Sequence, residues 1–172
     1  MTGTSPGPRL VLIGPMGAGK TTVGRLLAER WGVGFRDTDD DVEQTAGQSV
    51  SDIFVESGEA HFRALERAAV SRALADHPGV LALGGGAVLA EETRAALAGQ
   101  PVVFLRVGLS DAAARVGLGA SRPLLLGNVR GTMKALLDDR APVYEALATA
   151  TVDTDGLTPD EVADRVEAVL DA

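Results

Sequence analysis

The chain has 172 residues, which fits a single domain over residues 1–172, and its 45% hydrophobic and 3% aromatic content predicts a core of Leu, Val and Ala. The absence of cysteine excludes disulfides, thiolate metal sites and a cysteine nucleophile. A formal net charge of -8 argues against nucleic acid and anionic membrane surfaces as partners, and no apolar run approaches the roughly 20 residues of a membrane span, so we expect a cytoplasmic protein.

Strand and helix patterns alternate along the chain. Strands are predicted at residues 10–13, 35–37, 80–83, 101–107 and 151–153. Helices are predicted at 20–31, 39–45, 59–76, 91–97, 111–116 and 129–147, the last with a break near Pro142. A final helix begins at the capping box Thr158-Pro159-Asp160-Glu161. This order predicts an α/β fold with a parallel sheet covered on both faces, in which ligands bind at the carboxyl ends of the strands.

A glycine-rich segment follows the first predicted strand directly. Residues 14–21 read G-P-M-G-A-G-K-T, and a helical pattern comes next. The glycines let successive backbone N–H groups point at phosphates, Lys20 adds a charge near the β and γ phosphates, and the Thr21 hydroxyl can hold Mg²⁺. A simple turn between a strand and a helix would need neither of these two side chains. The pattern therefore predicts that residues 14–22 bind a nucleoside triphosphate.

Acidic residues follow the second predicted strand, at Asp37, Asp39, Asp40 and Asp41. A carboxylate at this edge of the sheet can bind Mg²⁺ through water or accept a proton from a hydroxyl nucleophile. The alternative, that the acids only offset the dipole of the next helix, is sufficient for Asp40 and Asp41. For Asp37 and Asp39 we favour a functional role, because they share this edge with the phosphate loop.

Three consecutive glycines, Gly84, Gly85 and Gly86, follow the third predicted strand. A turn alone needs one or two glycines, whereas three indicate a place where the backbone comes close to another group. We expect that group to be a substrate that lies against the bare backbone.

Three arginines are candidates for binding anions, at Arg63, Arg122 and Arg140. Each by itself is typical of a solvated surface arginine. Arg122 differs because it lies in the Gly- and Leu-rich residues 117–131, whose composition is typical of a mobile lid. A lid arginine can close over a phosphate in transfer, stabilise its charge and exclude water.

Six motifs occur in order over about residues 9–170. They are G-P-M-G-A-G-K-T-T from Gly14, D-T-D from Asp37, F-R-x-x-E from Phe62, G-G-G from Gly84, R-P-L-L from Arg122 and R-x-P-x-Y from Arg140. Many NTPases share the first motif, but the ordered set of the other five closely resembles the shikimate kinase family. The resemblance implies a three-layer P-loop fold of the nucleoside-monophosphate-kinase type. Such a fold has a five-stranded parallel sheet flanked by helices, a substrate-binding segment at about 38–66 and a lid at about 117–131.

The same resemblance implies MgATP-dependent phosphorylation of the 3-hydroxyl of shikimate, in chorismate and aromatic amino-acid synthesis, by a monomer. Residues implied to hold ATP are Gly17, Ala18, Gly19, Lys20, Thr21, Thr22, Arg115, Arg122 and Pro159, with Mg²⁺ on Thr21 and, through water, on Asp37. Residues implied to hold shikimate are Asp39, Arg63, Gly84, Gly85, Gly86 and Arg140. Lys20, Asp39 and Arg122 would carry the catalysis.

Two other classes of function compete with this interpretation. One is another small-molecule kinase of similar fold, such as a gluconate or adenylate kinase, against which the glycine triplet and the two arginine motifs argue. The other is a GTPase-like switch or a noncatalytic nucleotide-binding module. The chain has no Asn-Lys-x-Asp motif for guanine, and a mere binder would not need Asp39 beside an acceptor site.

Overall fold

A computed structural model describes residues 7–108, 111–112 and 129–171. Five strands form one parallel sheet: β1 (Leu10–Ile13), β2 (Phe35–Asp37), β3 (Val80–Ala82), β4 (Val102–Arg106) and β5 (Ala150–Asp153). Their order across the sheet is β2-β3-β1-β4-β5. Leu12 pairs with Ala82 on one side and with Val103 on the other, so the central strand β1 ends next to both of its neighbours. All five strands therefore place their carboxyl ends at one edge of the sheet.

Helices connect the strands and cover both faces. They are α1 (Lys20–Trp31), α2 (Thr38–Ala46), α3 (Val50–Asp76), α4 (Glu91–Leu97), α5 (Val129–Leu147) and α6 (Pro159–Asp171), with a 3₁₀ turn at Ala87–Leu89. Residues 111 and 112 are helical, but the rest of the predicted helix 111–116 lies outside the described residues. The parallel sheet flanked by helices confirms the predicted three-layer α/β architecture.

Alternate side chains of β1 pack into different hydrophobic clusters, as the two-residue period of a strand requires. Leu10 and Leu12 pack in one cluster with residues of α1 and α6. Val11 and Ile13 pack in the other with residues of α3 and with Tyr144 of α5. A third, smaller cluster joins α2 to α3 and supports the segment that the sequence assigned to substrate binding. Its buried members are Val42, Ile53, Phe62 and Ala69.

Two helix predictions were wrong. Helix α3 begins at Val50 rather than at residue 59, because Ser49 caps its first turn by accepting a hydrogen bond from the Asp52 N–H at 3.1 Å. Gly58 interrupts this helix with a backbone at φ 84° and ψ 168°, a conformation that is essentially restricted to glycine. Helix α5 continues through Pro142 without the predicted break. Packing of Leu137 and Tyr144 on either side of the proline holds the helix together.

The other boundaries agree with the sequence prediction to within one residue at each end. The predicted capping box of the last helix is present in both directions: the Glu161 N–H donates to Thr158 Oγ1 at 3.2 Å, and the Thr158 N–H donates to Glu161 Oε1 at 3.0 Å. These two bonds lower the pKa of the Glu161 carboxyl. The cap fixes where α6 begins, at the carboxyl edge of β5.

Candidate active site

The phosphate loop between β1 and α1 has the backbone that its glycines allow. Gly17 and Gly19 lie at φ 84° and 92°, which is left-handed backbone that an L side chain rarely adopts. Gly19 is the N-cap of α1, and as a glycine it has no side chain to accept hydrogen bonds from the first N–H groups of the helix. Lys20 Nζ donates to the carbonyl oxygens of Gly14 and Pro15 at 2.7 and 3.0 Å. The ammonium group is thereby held over the loop.

The side chains of Thr21, in helix α1, and Asp37, at the end of β2, are in contact. Thr21 Oγ1 donates to Asp37 Oδ2 at 3.1 Å, although the two residues are 16 positions apart. The other carboxylate oxygen of Asp37 accepts the Asp39 N–H at 2.9 Å and caps helix α2. A hydroxyl and a carboxylate oxygen at this separation, beside a phosphate loop, form a donor pair of the kind that Mg²⁺ prefers.

Asp39 lies in the first turn of α2, against the glycine triplet. A Cβ atom added to Gly84 would be 2.6 Å from Asp39 Oδ1 and 3.0 Å from Glu66 Oε2. The next acid, Asp41, instead accepts a hydrogen bond from Arg36 Nε at 2.6 Å. Asp40 is exposed, and partial desolvation together with the charge of Asp37 raises the pKa of its carboxyl. Of the acids that follow β2, Asp39 is thus the one placed against the glycines.

Arg63 contacts the same loop from helix α3. A Cβ atom on Gly86 would lie 2.5 Å from both Arg63 Nη1 and Nη2. Arg63 Nη1 donates to Glu66 Oε1 at 2.8 Å, one turn along the helix, and its side chain is only 16% exposed. Arg63 therefore does not have the solvent-exposed position that is typical of a single arginine.

Arg140 is also buried, with 6% of its surface exposed. It lies on helix α5, one turn before Tyr144, and its Nη1 would be 3.6 Å from a Cβ atom on Gly85. The positive charges of Arg140 and Arg63 both act on Glu66 and on Tyr144. The structure therefore brings Arg63 and Arg140 to the same group of buried polar side chains, although they are on different helices.

Glu66 is the residue at this site to which the sequence interpretation gave no role. It is 3% exposed, and burial raises the pKa of its carboxyl although Arg63, Arg140 and Arg67 all oppose the shift. A buried carboxylate between two arginines balances part of their charge and fixes the position of Arg63. The signal in the sequence was the three-residue spacing from Arg63, which puts both side chains on one face of a helix.

The structure gives a second reason for two of the three glycines. At Gly84 and Gly86, an added Cβ atom would come within 3.0 Å of the charged ends of Asp39, Glu66 or Arg63, so a larger residue would have to displace these side chains. Gly85 differs, since the nearest atoms to an added Cβ would be at 3.4 Å or more, an ordinary contact distance. Contacts within the protein thus give Gly84 and Gly86 a role besides substrate binding, and contact of the substrate with all three glycines stays a prediction.

A cavity of about 970 Å³ opens at this edge of the sheet. Its walls include residues 16–22 of the phosphate loop, the acids at 37 and 39, Gly84, Gly85, Leu157 and Pro159. Its size suits a nucleotide together with a small acceptor. Arg63, Gly86 and Arg140 do not line this cavity themselves but lie beside its glycine wall.

Several predicted residues cannot be placed. Arg115, Arg122 and the lid residues 117–128 lie outside the described part of the chain. Within the described ranges, no group of three His, Cys, Asp or Glu side chains could hold a metal ion without other ligands. None of the described helices is long and apolar enough to cross a membrane.

Comparison with known proteins agrees with this geometry. The family model of shikimate kinase matches residues 16–171. A shikimate kinase of Salinispora arenicola is 65% identical, over 96% of this chain and 99% of that protein, and one of Thermobifida fusca is 61% identical, over 96% of each. A solved structure of a shikimate kinase from Acinetobacter baumannii in complex with shikimate is 33% identical, with a TM-score of 0.91, and covers 97% of this chain and 94% of that one.

A gluconokinase from Sinorhizobium meliloti is more distant. It has a TM-score of 0.58 and 22% identity over 96% of this chain and 92% of that one, so it shares the fold and supports no statement on substrate. The matches that do carry an identity span nearly the whole chain, and they agree with the six ordered motifs. The chain therefore belongs to the shikimate kinase family of phosphotransferases.

Proposed function

We propose that this chain transfers the γ-phosphoryl group of ATP to the 3-hydroxyl of shikimate, in the synthesis of chorismate and aromatic amino acids. The observation that carries the proposal is the meeting, at one edge of the sheet, of the phosphate loop with the polar group around the glycine triplet. That group contains Asp39, Arg63, Glu66 and Arg140. The Acinetobacter baumannii relative, whose structure contains shikimate, supports the choice of acceptor.

The ATP phosphates would lie in the phosphate loop, on backbone N–H groups from Gly17 to Thr22. Lys20 Nζ, which donates to the Gly14 and Pro15 carbonyls of this loop, would turn toward a β or γ phosphate. Pro159, at the cavity wall, would contact one face of the adenine. Arg115 and Arg122 keep their proposed roles at the adenine and at the phosphates.

Thr21 and Asp37 would hold Mg²⁺, Thr21 directly and Asp37 through water. Their oxygens are 3.1 Å apart and both line the cavity, which fits a hard cation with oxygen ligands. When bound, the ion would neutralise charge on the phosphate oxygens. With two protein donors, the site would depend on ATP to complete its ligand set.

Arg63 and Arg140 would bind the carboxylate of shikimate, since planar guanidinium groups suit a planar carboxylate. Asp39 would accept hydrogen bonds from the ring hydroxyls, and the backbone of Gly85 would contact the ring. These roles place the acceptor hydroxyl between the carboxylate of Asp39 and the phosphate loop.

The reaction needs little covalent assistance from the protein, because phosphoryl transfer depends mainly on position and positive charge. The 3-hydroxyl oxygen forms a bond to the γ phosphorus while the bond from that phosphorus to the β,γ-bridging oxygen breaks, leaving ADP. The hydroxyl proton passes to Asp39 or to solvent. Lys20 and Arg122 stabilise the charge on the phosphoryl group in transit.

A coupled ADP-release assay tests this proposal directly. The purified chain is given MgATP with shikimate, with gluconate, with AMP or with no acceptor. We expect turnover with shikimate to exceed every other condition by at least about 100-fold. Comparable turnover with gluconate or AMP would assign another acceptor, and ADP release that is independent of any acceptor would make the chain a nucleotide hydrolase.

A further inference from the structure

The glycine triplet is held from two sides by buried hydroxyl groups. The Gly84 N–H donates to Thr38 Oγ1 at 3.1 Å. The Tyr144 hydroxyl donates to the carbonyl oxygen of Gly85. Thr38 is fully buried and Tyr144 is 1% exposed. The two successive residues of the loop are thus each bonded to a hydroxyl that water does not reach.

Each hydroxyl also belongs to an element that carries a residue proposed to bind the acceptor. Thr38 is the first residue of α2 and the immediate neighbour of Asp39. Tyr144 lies one turn after Arg140 on α5, and the charge of the Arg140 guanidinium acts on its phenol group. The Tyr144 ring packs on Phe104 of β4 with 4.9 Å between ring centroids. The loop is therefore connected to both sides of the acceptor site.

The loop needs such restraints because three glycines in a row have unusual backbone freedom. An unpaired N–H at Gly84, which is itself buried, would also be costly. Burial raises the pKa of Tyr144 to about 12, against the opposing effect of Arg140, so the phenol stays protonated and can donate over the range in which an enzyme is assayed.

We infer that Thr38 and Tyr144 are positioning residues for the acceptor site, which hold the Gly84–Gly86 loop at its distance from Asp39 and Arg140. Neither hydroxyl needs to touch shikimate, because each acts through the backbone that it bonds. The inference rests on the proposed function, since it concerns the geometry in which the acceptor is bound.

Tyr144→Phe is the sharpest test, because the phenyl ring keeps its packing on Phe104 and only the hydroxyl is lost. We expect the KM for shikimate to rise about fivefold or more, which is the loss of one typical hydrogen bond. The KM for ATP should stay within about twofold, since the phosphate loop has no bond to this hydroxyl. Steady-state kinetics with each substrate varied in turn give both values.

Thr38 provides an independent test with its own rescue. Thr38→Val removes the acceptor for the Gly84 N–H at nearly constant volume and should raise the KM for shikimate in the same selective way. Thr38→Ser keeps the hydroxyl and should restore most of the wild-type KM. Thr149→Val is the matched control, because Thr149 Oγ1 also bonds the backbone, at both the N–H and the carbonyl of Val102, but at the amino end of β4.

These experiments distinguish a failure of the positioning role from a failure of the proposed function. If the wild-type chain does not phosphorylate shikimate, the proposed function fails, and this inference fails with it. If the wild type is active and Tyr144→Phe is folded by circular dichroism, an unchanged KM for shikimate, or an equal rise in both KM values, overturns the positioning role alone. An equally selective rise in Thr149→Val would also overturn it. Should Thr38→Val not fold, Tyr144→Phe decides the question.

Discussion

At the scale of single residues, the two lysines of the chain occupy very different positions. Lys20 begins helix α1 and its ammonium group is bonded over the phosphate loop. Lys134 lies on the surface of α5, 64% exposed, and pairs with Asp138 at 2.6 Å, one turn along the same helix. Lys20→Ala should lower kcat by at least about 100-fold, because it removes charge at the proposed site of phosphoryl transfer. The coupled ADP assay measures this loss.

Lys134→Ala is the control for that experiment and should change kcat less than twofold, because this exposed lysine pairs only with Asp138 on its own helix. Both variants should unfold within a few degrees of the wild type. Activity above a few percent in folded Lys20→Ala would remove this lysine from the mechanism.

Asp37 and Asp39 should fail in different ways, because they contact different groups. Asp37 bonds Thr21 at the proposed Mg²⁺ site, whereas Asp39 faces the glycine triplet. Asp37→Asn should therefore be partly rescued by raising the Mg²⁺ concentration, since weaker binding yields to mass action. Asp39→Asn should lose about 100-fold or more in kcat at every Mg²⁺ concentration if it takes the hydroxyl proton.

Initial rates over a range of Mg²⁺ concentrations decide between these outcomes. Rescue of Asp39→Asn by metal, or identical Mg²⁺ profiles for the two variants, would contradict the assigned division between metal binding and acceptor binding. Asp41→Asn is a reference variant for this experiment. Because Asp41 is bonded to Arg36, its substitution should alter neither the Mg²⁺ profile nor the KM for shikimate.

Arg63 and Arg67 offer a matched pair on one helix. Arg63 lies against Gly86 and bonds the buried Glu66, whereas Arg67 is 42% exposed and pairs with Glu92 at 3.2 Å. Arg63→Ala should raise the KM for shikimate by about 10- to 100-fold and leave the KM for ATP nearly unchanged, because a charge-assisted bond contributes about 1.5–3 kcal/mol. Arg67→Ala should change neither. Equal effects of Arg63→Ala on both substrates would exclude a carboxylate clamp.

At the scale of elements, the bend in α3 depends on one residue. Gly58 adopts φ 84° and ψ 168°, and a Cβ atom there would contact nothing within 4 Å. The cost of Gly58→Ala is therefore backbone strain alone, about 1–3 kcal/mol of the free energy of unfolding. Urea denaturation measures this loss, and the m-value should not change.

Gly34→Ala is the comparison for the bend, because its φ is not positive and its added Cβ would make an ordinary contact, 3.4 Å from His77. It should cost clearly less than Gly58→Ala. If the two variants lose the same stability, the bend at Gly58 is not enforced by the rest of the structure.

The elements also differ in how accurately the sequence predicted their bounds. Helix α4 matches its prediction at both ends, and the capping box of α6 is present as expected, because such signals depend on neighbouring residues alone. The first part of α3 was missed because Gly58 interrupts the helical pattern, and the predicted helix therefore began at residue 59. The break expected at Pro142 is absent because tertiary packing outweighs the local cost of the proline.

At the scale of the whole molecule, one sheet edge serves both proposed ligands, so binding at that edge should stabilise the entire fold. MgATP at about 100 times its Kd should add about 2.7 kcal/mol to the free energy of unfolding. For a chain of this length, that corresponds to a rise in Tm of very roughly 5–10 °C. Differential scanning fluorimetry measures the shift.

Lys20→Ala should show a smaller rise at the same ATP concentration, because it weakens phosphate binding. A wild-type Tm that does not respond to MgATP would contradict nucleotide binding at this edge. The expected monomeric state stays a prediction, which light scattering at assay concentration tests.

By itself, the sequence determined the features whose signals are local. The phosphate loop, the alternation of strands with helices and the order of motifs can be read along the chain, because backbone conformation and helix caps depend on adjacent residues. They were enough to predict the sheet and the family.

Only the tertiary structure decided which side chains meet. Thr21 bonds Asp37, and the charges of Arg63 and Arg140 both act on Glu66. These residues are distant in the sequence, and they come together because the parallel strands and the helices between them meet at one edge of the sheet. In the folded chain, Arg63, Arg140 and Glu66 form one charged cluster that is largely buried. The cluster depends on the removal of water by packing, and this packing involves several segments of the chain, so no single segment predicts it.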